Sequence, residues 1–168
     1  MTDTLTIALL NRLHEIERYS LANYLRHASP WTPRHAEPLR ETLLQIADDQ
    51  QVCADRVASM ILERDGRVEK GSFPFRFTAY NDLSLEFLAP RVLDELRQTV
   101  RHVGVIVDEL AGDPEARALA REIEGMEKGH VDQLRELLAE PARDTQSAAT
   151  LRSPRRVERE QALDSTAV

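Results

Sequence analysis

The stretch DPEARALAREIEGMEKGHVDQLRELLAE, residues 113–140, decides how the rest of the chain is read. Asp113 is a natural helix N-cap, and Pro114 fits the first helical position, where its missing N–H costs nothing. Pro141 stops the helix. In between, Ala120, Ile123, Leu134 and Leu137 recur at helical spacing and form one apolar face. Glu127 and His130 stand on that same face, where the pattern asks for leucine. The i, i+3 spacing puts the carboxylate and the imidazole side by side. A buried carboxylate must be paired, protonated or bound to a cation. The stretch therefore predicts a core helix with a polar interruption at mid-height.

Three more stretches carry helical periodicity. The first spans about residues 3–28, with Thr6, Leu10, Leu13, Leu21 and Tyr24 on its inner line, Glu17 among them, and a stop at Ser29, Pro30 and Pro33. The second starts near Pro38 and ends at Gly66, with Leu43, Ala47, Ala54, Val57 and Ile61 inside and Gln50 and Cys53 between them. The third starts after Asn81-Asp82 and ends near Gly112; Leu85, Leu88, Val92, Leu96, Thr99, Val103, Ile106 and Leu110 form its inner line, and Pro90 sits early in it. The links 29–37 and 112–114 are short enough to make antiparallel neighbours. The link from Arg67 to Asp82 is different. A helix of about 28 residues is roughly 42 Å long, and a link of about 16 residues spans roughly 50 Å when extended. It can run the length of the molecule and leave the second and third helices parallel. Phe73, Phe75 and Phe77 alternate with Pro74 and Arg76, which predicts an extended strap with one apolar face.

Composition sets the outer bounds. The 168 residues suit one domain, read as residues 1–141, followed by a tail, 142–168, whose scattered apolar residues predict disorder. Asp+Glu exceeds Lys+Arg by 29 to 22, for a net charge of −7, which argues against a nucleic-acid binder. One cysteine, Cys53, excludes an intrachain disulfide framework and a Cys-rich zinc site. Apolar runs are too short for a membrane span, and Met1-Thr2-Asp3-Thr4 opens no secretory signal, so the expected compartment is the cytoplasm.

Glu17, Glu95 and Glu127 come from three separate helices, and His130 completes an oxygen and nitrogen donor set suited to a divalent transition metal. With four helices, a long second connection, inward glutamates and Glu127-x-x-His130, the chain resembles the ferritin-like di-iron carboxylate proteins, bacterioferritin and rubrerythrin among them, over roughly residues 3–140. The resemblance implies an all-α, ferritin-like antiparallel four-helix bundle. It implies bound iron, with manganese or zinc as alternatives, and Fe(II)-oxidising or oxygen and peroxide chemistry. By this resemblance Glu17 matches the first helix, Glu95 the third (Asp94 being the fallback), and Glu127 with His130 the fourth. The second helix departs from the pattern: Gln50 stands where a glutamate is expected and Cys53 where a histidine is. Asp49 offers a shifted carboxylate, which the apolar stripe of that helix opposes. The expected site is accordingly a mononuclear or weakened dinuclear one built from Glu17, Glu95, Glu127, His130, Gln50 and Cys53. The expected partners are further copies of the chain, in a homodimer or larger oligomer, with the tail as a docking segment for a protein partner. The competing expectation is a metal-free structural or interaction bundle, since fold does not fix function.

Overall fold

The computed structural model describes residues 2–139; the tail and its docking role lie outside the described residues. Those residues form five α-helices, α1 (Thr2–Arg18), α2 (Leu21–Ala28), α3 (Glu37–Glu63), α4 (Leu85–Glu109) and α5 (Pro114–Ala139), with short 3-10 turns and no strand among them. No described helix is long and apolar enough to cross a membrane.

The first predicted helix is two. Ser20 breaks it: its backbone is extended (φ −71°, ψ 159°), and its hydroxyl accepts from the Asn23 N–H at 3.1 Å, capping α2. A serine hydroxyl competes for backbone donors in this way, which is why serine favours N-caps over helix interiors. Ser29 closes α2 in the left-handed region (φ 46°). Helix α3 carries Pro38 in its first turn. It ends in a turn where Asp65, not Gly66, takes positive φ, while Gly66 N–H donates to the Ile61 carbonyl at 2.9 Å. Gly66 is needed there for space, because a Cβ would lie 2.8 Å from that carbonyl oxygen and 3.1 Å from Ile7 of α1. Helix α4 is capped by Ser84 rather than by Asn81 or Asp82. Asp113 caps α5 as its sequence predicts, accepting from Ala116 N–H at 2.9 Å.

The strap is not extended throughout. Residues Phe75–Tyr80 wind into a 3-10 turn. That turn buries Phe77 and leaves Phe75 82% exposed, so the three phenylalanines do not share a face. Asn11 holds the start of the strap through the Arg67 carbonyl (3.0 Å) and the Glu69 N–H (2.7 Å), and the Tyr19 hydroxyl donates to the Lys70 carbonyl at 2.7 Å.

The apolar core is divided in two. One cluster takes Leu21 and Leu25 of α2, Leu43 to Ala47 of α3, Leu85 to Leu96 of α4, Leu134 of α5, and Phe77. The other takes Leu9 to Leu13 of α1, Cys53 to Ile61 of α3, Val103 to Val107 of α4, and Ala116 to Ile123 of α5. Helices α3, α4 and α5 each pass from one cluster to the other, while α1 lies in the second and α2 in the first, so the level between them falls at Glu17, at Gln50, at Thr99 and at Glu127 with His130. Following residue numbers, α3 and α4 pass from the first cluster to the second, and α5 passes from the second to the first.

Candidate functional site

Glu17, Gln50 and Glu127 are fully buried at this level, and His130 is 5% exposed. Helix α3 supplies Gln50, whose Nε2 donates to Glu127 Oε1 at 2.8 Å. Helix α5 supplies both Glu127 and His130. The imidazole sits between two carboxylates, with Nε2 3.0 Å from Asp49 Oδ2 and Nδ1 3.6 Å from Glu127 Oε2. Both oxygens of Glu17, Oε2 of Glu127, Oε1 of Gln50 and Nδ1 of His130 are buried without a hydrogen-bond partner. A buried polar group left unpaired costs about 1–3 kcal/mol, and more when charged.

The electrostatics follow from this crowding. Burial first, then the negative charge of Glu127, pushes the Glu17 carboxyl well above the usual carboxylate range. Two like charges in one dry site cannot both stay ionised unless a proton or a cation intervenes. Burial by itself pulls His130 down, yet the Glu127 and Asp49 carboxylates together hold it above its ordinary value. His14, one turn before Glu17, is buried, and desolvation followed by Arg18 lowers it.

The other predicted residues sit elsewhere. Cys53 belongs to the apolar cluster below the polar level, with Sγ 3.4 Å from Met126 Sδ. Burial, then Glu17, pushes its thiol up to about 12, which favours the neutral thiol in the metal-free protein. Glu95 is partly exposed, and its Oε2 accepts from Arg76 Nη2 of the strap at 2.8 Å. Thr99, one turn further along α4, occupies the height at which Glu95 was expected, between Leu96 and Val103. Asp94 is exposed and paired with Arg97, as an outer-face residue is. Tyr24 is half-buried, and its hydroxyl donates to Asn81 Oδ1. Asp49 reaches His130 while α3 keeps its apolar stripe turned inward.

Beside the buried pair lies a cavity of about 300 Å³ between the α1–α2 junction, the strap and α4. Gln50 and Thr99 line it, as do Glu95 and Arg76. The periodicity of the sequence held no sign of this cavity, because it depends on the break at Ser20 and on the strap's 3-10 turn.

The donor types and their burial suit a hard or borderline divalent cation. Among the described residues, no three His, Cys, Asp or Glu side chains converge as a ready-made ligand group. A cation would have to draw the unpaired oxygens of Glu17 and Glu127 and the Nδ1 of His130 together. No family model and no curated protein matches the chain.

Proposed function

We propose that this chain is a ferritin-like four-helix bundle, with α1 and α2 together forming one arm, that holds a single divalent transition metal at its polar level. The opposed helix directions and the long connection between α3 and α4 support the bundle. Glu17, Glu127 and His130 are the proposed ligands, and Gln50 holds Glu127 in place through its amide. Iron comes first, ahead of manganese and zinc, by ligand type. The bound metal would supply redox chemistry towards Fe(II) or an oxygen species. The chain's own residues orient the donors and keep them dry. A second metal finds too little support, since α3 offers Gln50 and Cys53 where a dinuclear site needs a carboxylate and an imidazole. Cytoplasmic location and self-association into a homodimer or larger oligomer belong to the same reading.

One observation carries the reading: two fully buried carboxyls, Glu17 and Glu127, face each other with three unpaired oxygens between them. Thermal melting of the chelator-stripped protein with added Mn(II), or with Fe(II) under argon, tests it. A metal at a hundred times its dissociation constant stabilises by about 2.7 kcal/mol, which raises the melting temperature of a chain this size by roughly 5–10 °C. Glu17→Gln should cancel that rise. It should also stabilise the metal-free protein by about 1–3 kcal/mol near neutral pH, because an amide needs no proton to be buried there, whereas Glu17 must take one up on folding.

A second reading has its own support. His130, whose charged form Asp49 and Glu127 favour, and a proton on Glu17 balance the site without metal. In that case the chain is a structural or interaction bundle. Metal then leaves the melting temperature of the wild type unchanged, and Glu17→Gln alone shifts it.

A further inference from the structure

We propose that the cavity beneath the strap is a binding site for a compact, uncharged molecule with an apolar body and one O–H or N–H donor, which lands on the carbonyl oxygen of Gln50. Three features carry this. The cavity, at about 300 Å³, is large enough for a ring-sized ligand. Its walls include the apolar side chains of Ile16, Phe77 and Leu96. Its inner end is formed by Gln50, a side chain with no exposure, whose Nε2 is committed to Glu127 and whose Oε1 has no partner. The unpaired atom is an acceptor, so the ligand must bring a donor. Its sign is constrained as well. The charged side chains of its lining balance, Arg12 and Arg76 standing with Glu15 and Glu95, so a ligand of either net charge gains nothing over a neutral one. At the outer side the Arg76–Glu95 ion pair spans from the strap to α4, and Arg76 is 60% exposed there. The pair ties the strap across the cavity, and parting it widens the way in.

This site does not depend on the metal. It uses the unpaired oxygen of Gln50 and the cavity walls, and it stands whether Glu17 and Glu127 hold a cation or a proton. The test is therefore run with the full chain in excess chelator. Benzyl alcohol and anisole are isomers of nearly equal size, and only the alcohol carries a donor. Saturation-transfer NMR measures the dissociation constant of each, with benzoate as the anionic control. The proposal expects benzyl alcohol to bind at least fivefold tighter than anisole, to shift the Gln50 side-chain amide resonances, and to outbind benzoate by more than that. Gln50→Met keeps the length of the side chain and should erase the preference for the alcohol. Ala22→Leu fills the cavity from the α2 side and should abolish binding of both isomers. Should Ala22→Leu fail to fold, Gln50→Met decides alone. Equal binding of the isomers to the wild type, no binding of the alcohol at tens of millimolar, or a preference that survives Gln50→Met overturns the proposal.

Discussion

Cys53 and Glu17 show how a single position is governed by its neighbours. A cysteine standing where the ferritin-like pattern has a histidine invites a ligand role, but burial and the carboxyls beside it keep this one protonated, with its thiol pushed up to about 12. It should resist alkylation by iodoacetamide at pH 8 in the folded protein and react fully once the chain is denatured, with mass spectrometry as the readout; rapid labelling of the native protein would contradict the burial. Glu17, Glu127 and His130 were legible as inward residues because each interrupts an apolar line at helical spacing. Glu95 reads as inward from its place at mid-height, and in the structure it is partly exposed. It is one residue, or about 100° of helix, away from Leu96, and it drew attention by its charge, while Thr99 already stood on the inner line. The structure gives Glu95 the cation it needs in Arg76, from a strap whose course the sequence leaves open. Turning Asp49 inward would expose the apolar stripe of α3, yet it reaches His130 without any such rotation.

At the scale of elements, local chemistry decided more than periodicity. The apolar line from Leu10 through Tyr24 is continuous enough to suggest one helix, yet the Ser20 hydroxyl caps a new one within it. Replacing Ser20 with Ala removes the acceptor for Asn23 N–H and should cost about 1 kcal/mol, measured by urea unfolding. An unchanged midpoint would mean that packing alone sets the break. The strap teaches a related lesson. Alternation of Phe73, Phe75 and Phe77 reads as an extended segment, but in a 3-10 turn residues three apart share a side. Phe77 accordingly stacks with Tyr80, at 6.5 Å between ring centroids, and Phe75 turns outward. Proline signals are more dependable, because Pro38 and Pro114 act through a missing donor that no tertiary contact can restore.

Across the whole molecule, two apolar clusters sandwich one polar level, and that level sets the response to pH. Glu17 binds its proton more tightly in the folded protein than in the unfolded chain. Its contribution to stability is complete below its ordinary value of 4.5 and is lost as pH climbs through its raised folded value. His130, also raised, contributes fully below 6.5 and loses that contribution as pH rises through its own folded value. His14 is lowered and acts in the opposite sense: its contribution is present above 6.5 and lost as pH falls through its folded value. His14, lowered, acts mainly below this range, whereas Glu17 and His130, both raised, lose stability as pH climbs, so the chelator-stripped protein should melt at a lower temperature at pH 8 than at pH 6. Bound metal should reverse the order, since a cation competes with those same protons. Differential scanning calorimetry at the two pH values, with and without Mn(II), reads both halves of this expectation.

The most direct measurement is the metal content of the full chain after equilibration with Fe(II) under argon at pH 7.5 and desalting. About one metal per chain is expected for the wild type, by the rule that buried paired carboxylates need a cation, and none for Glu17→Gln or Glu127→Gln. A wild type that emerges without metal, or variants that retain it, would contradict a cation as the reason these two acids are buried together.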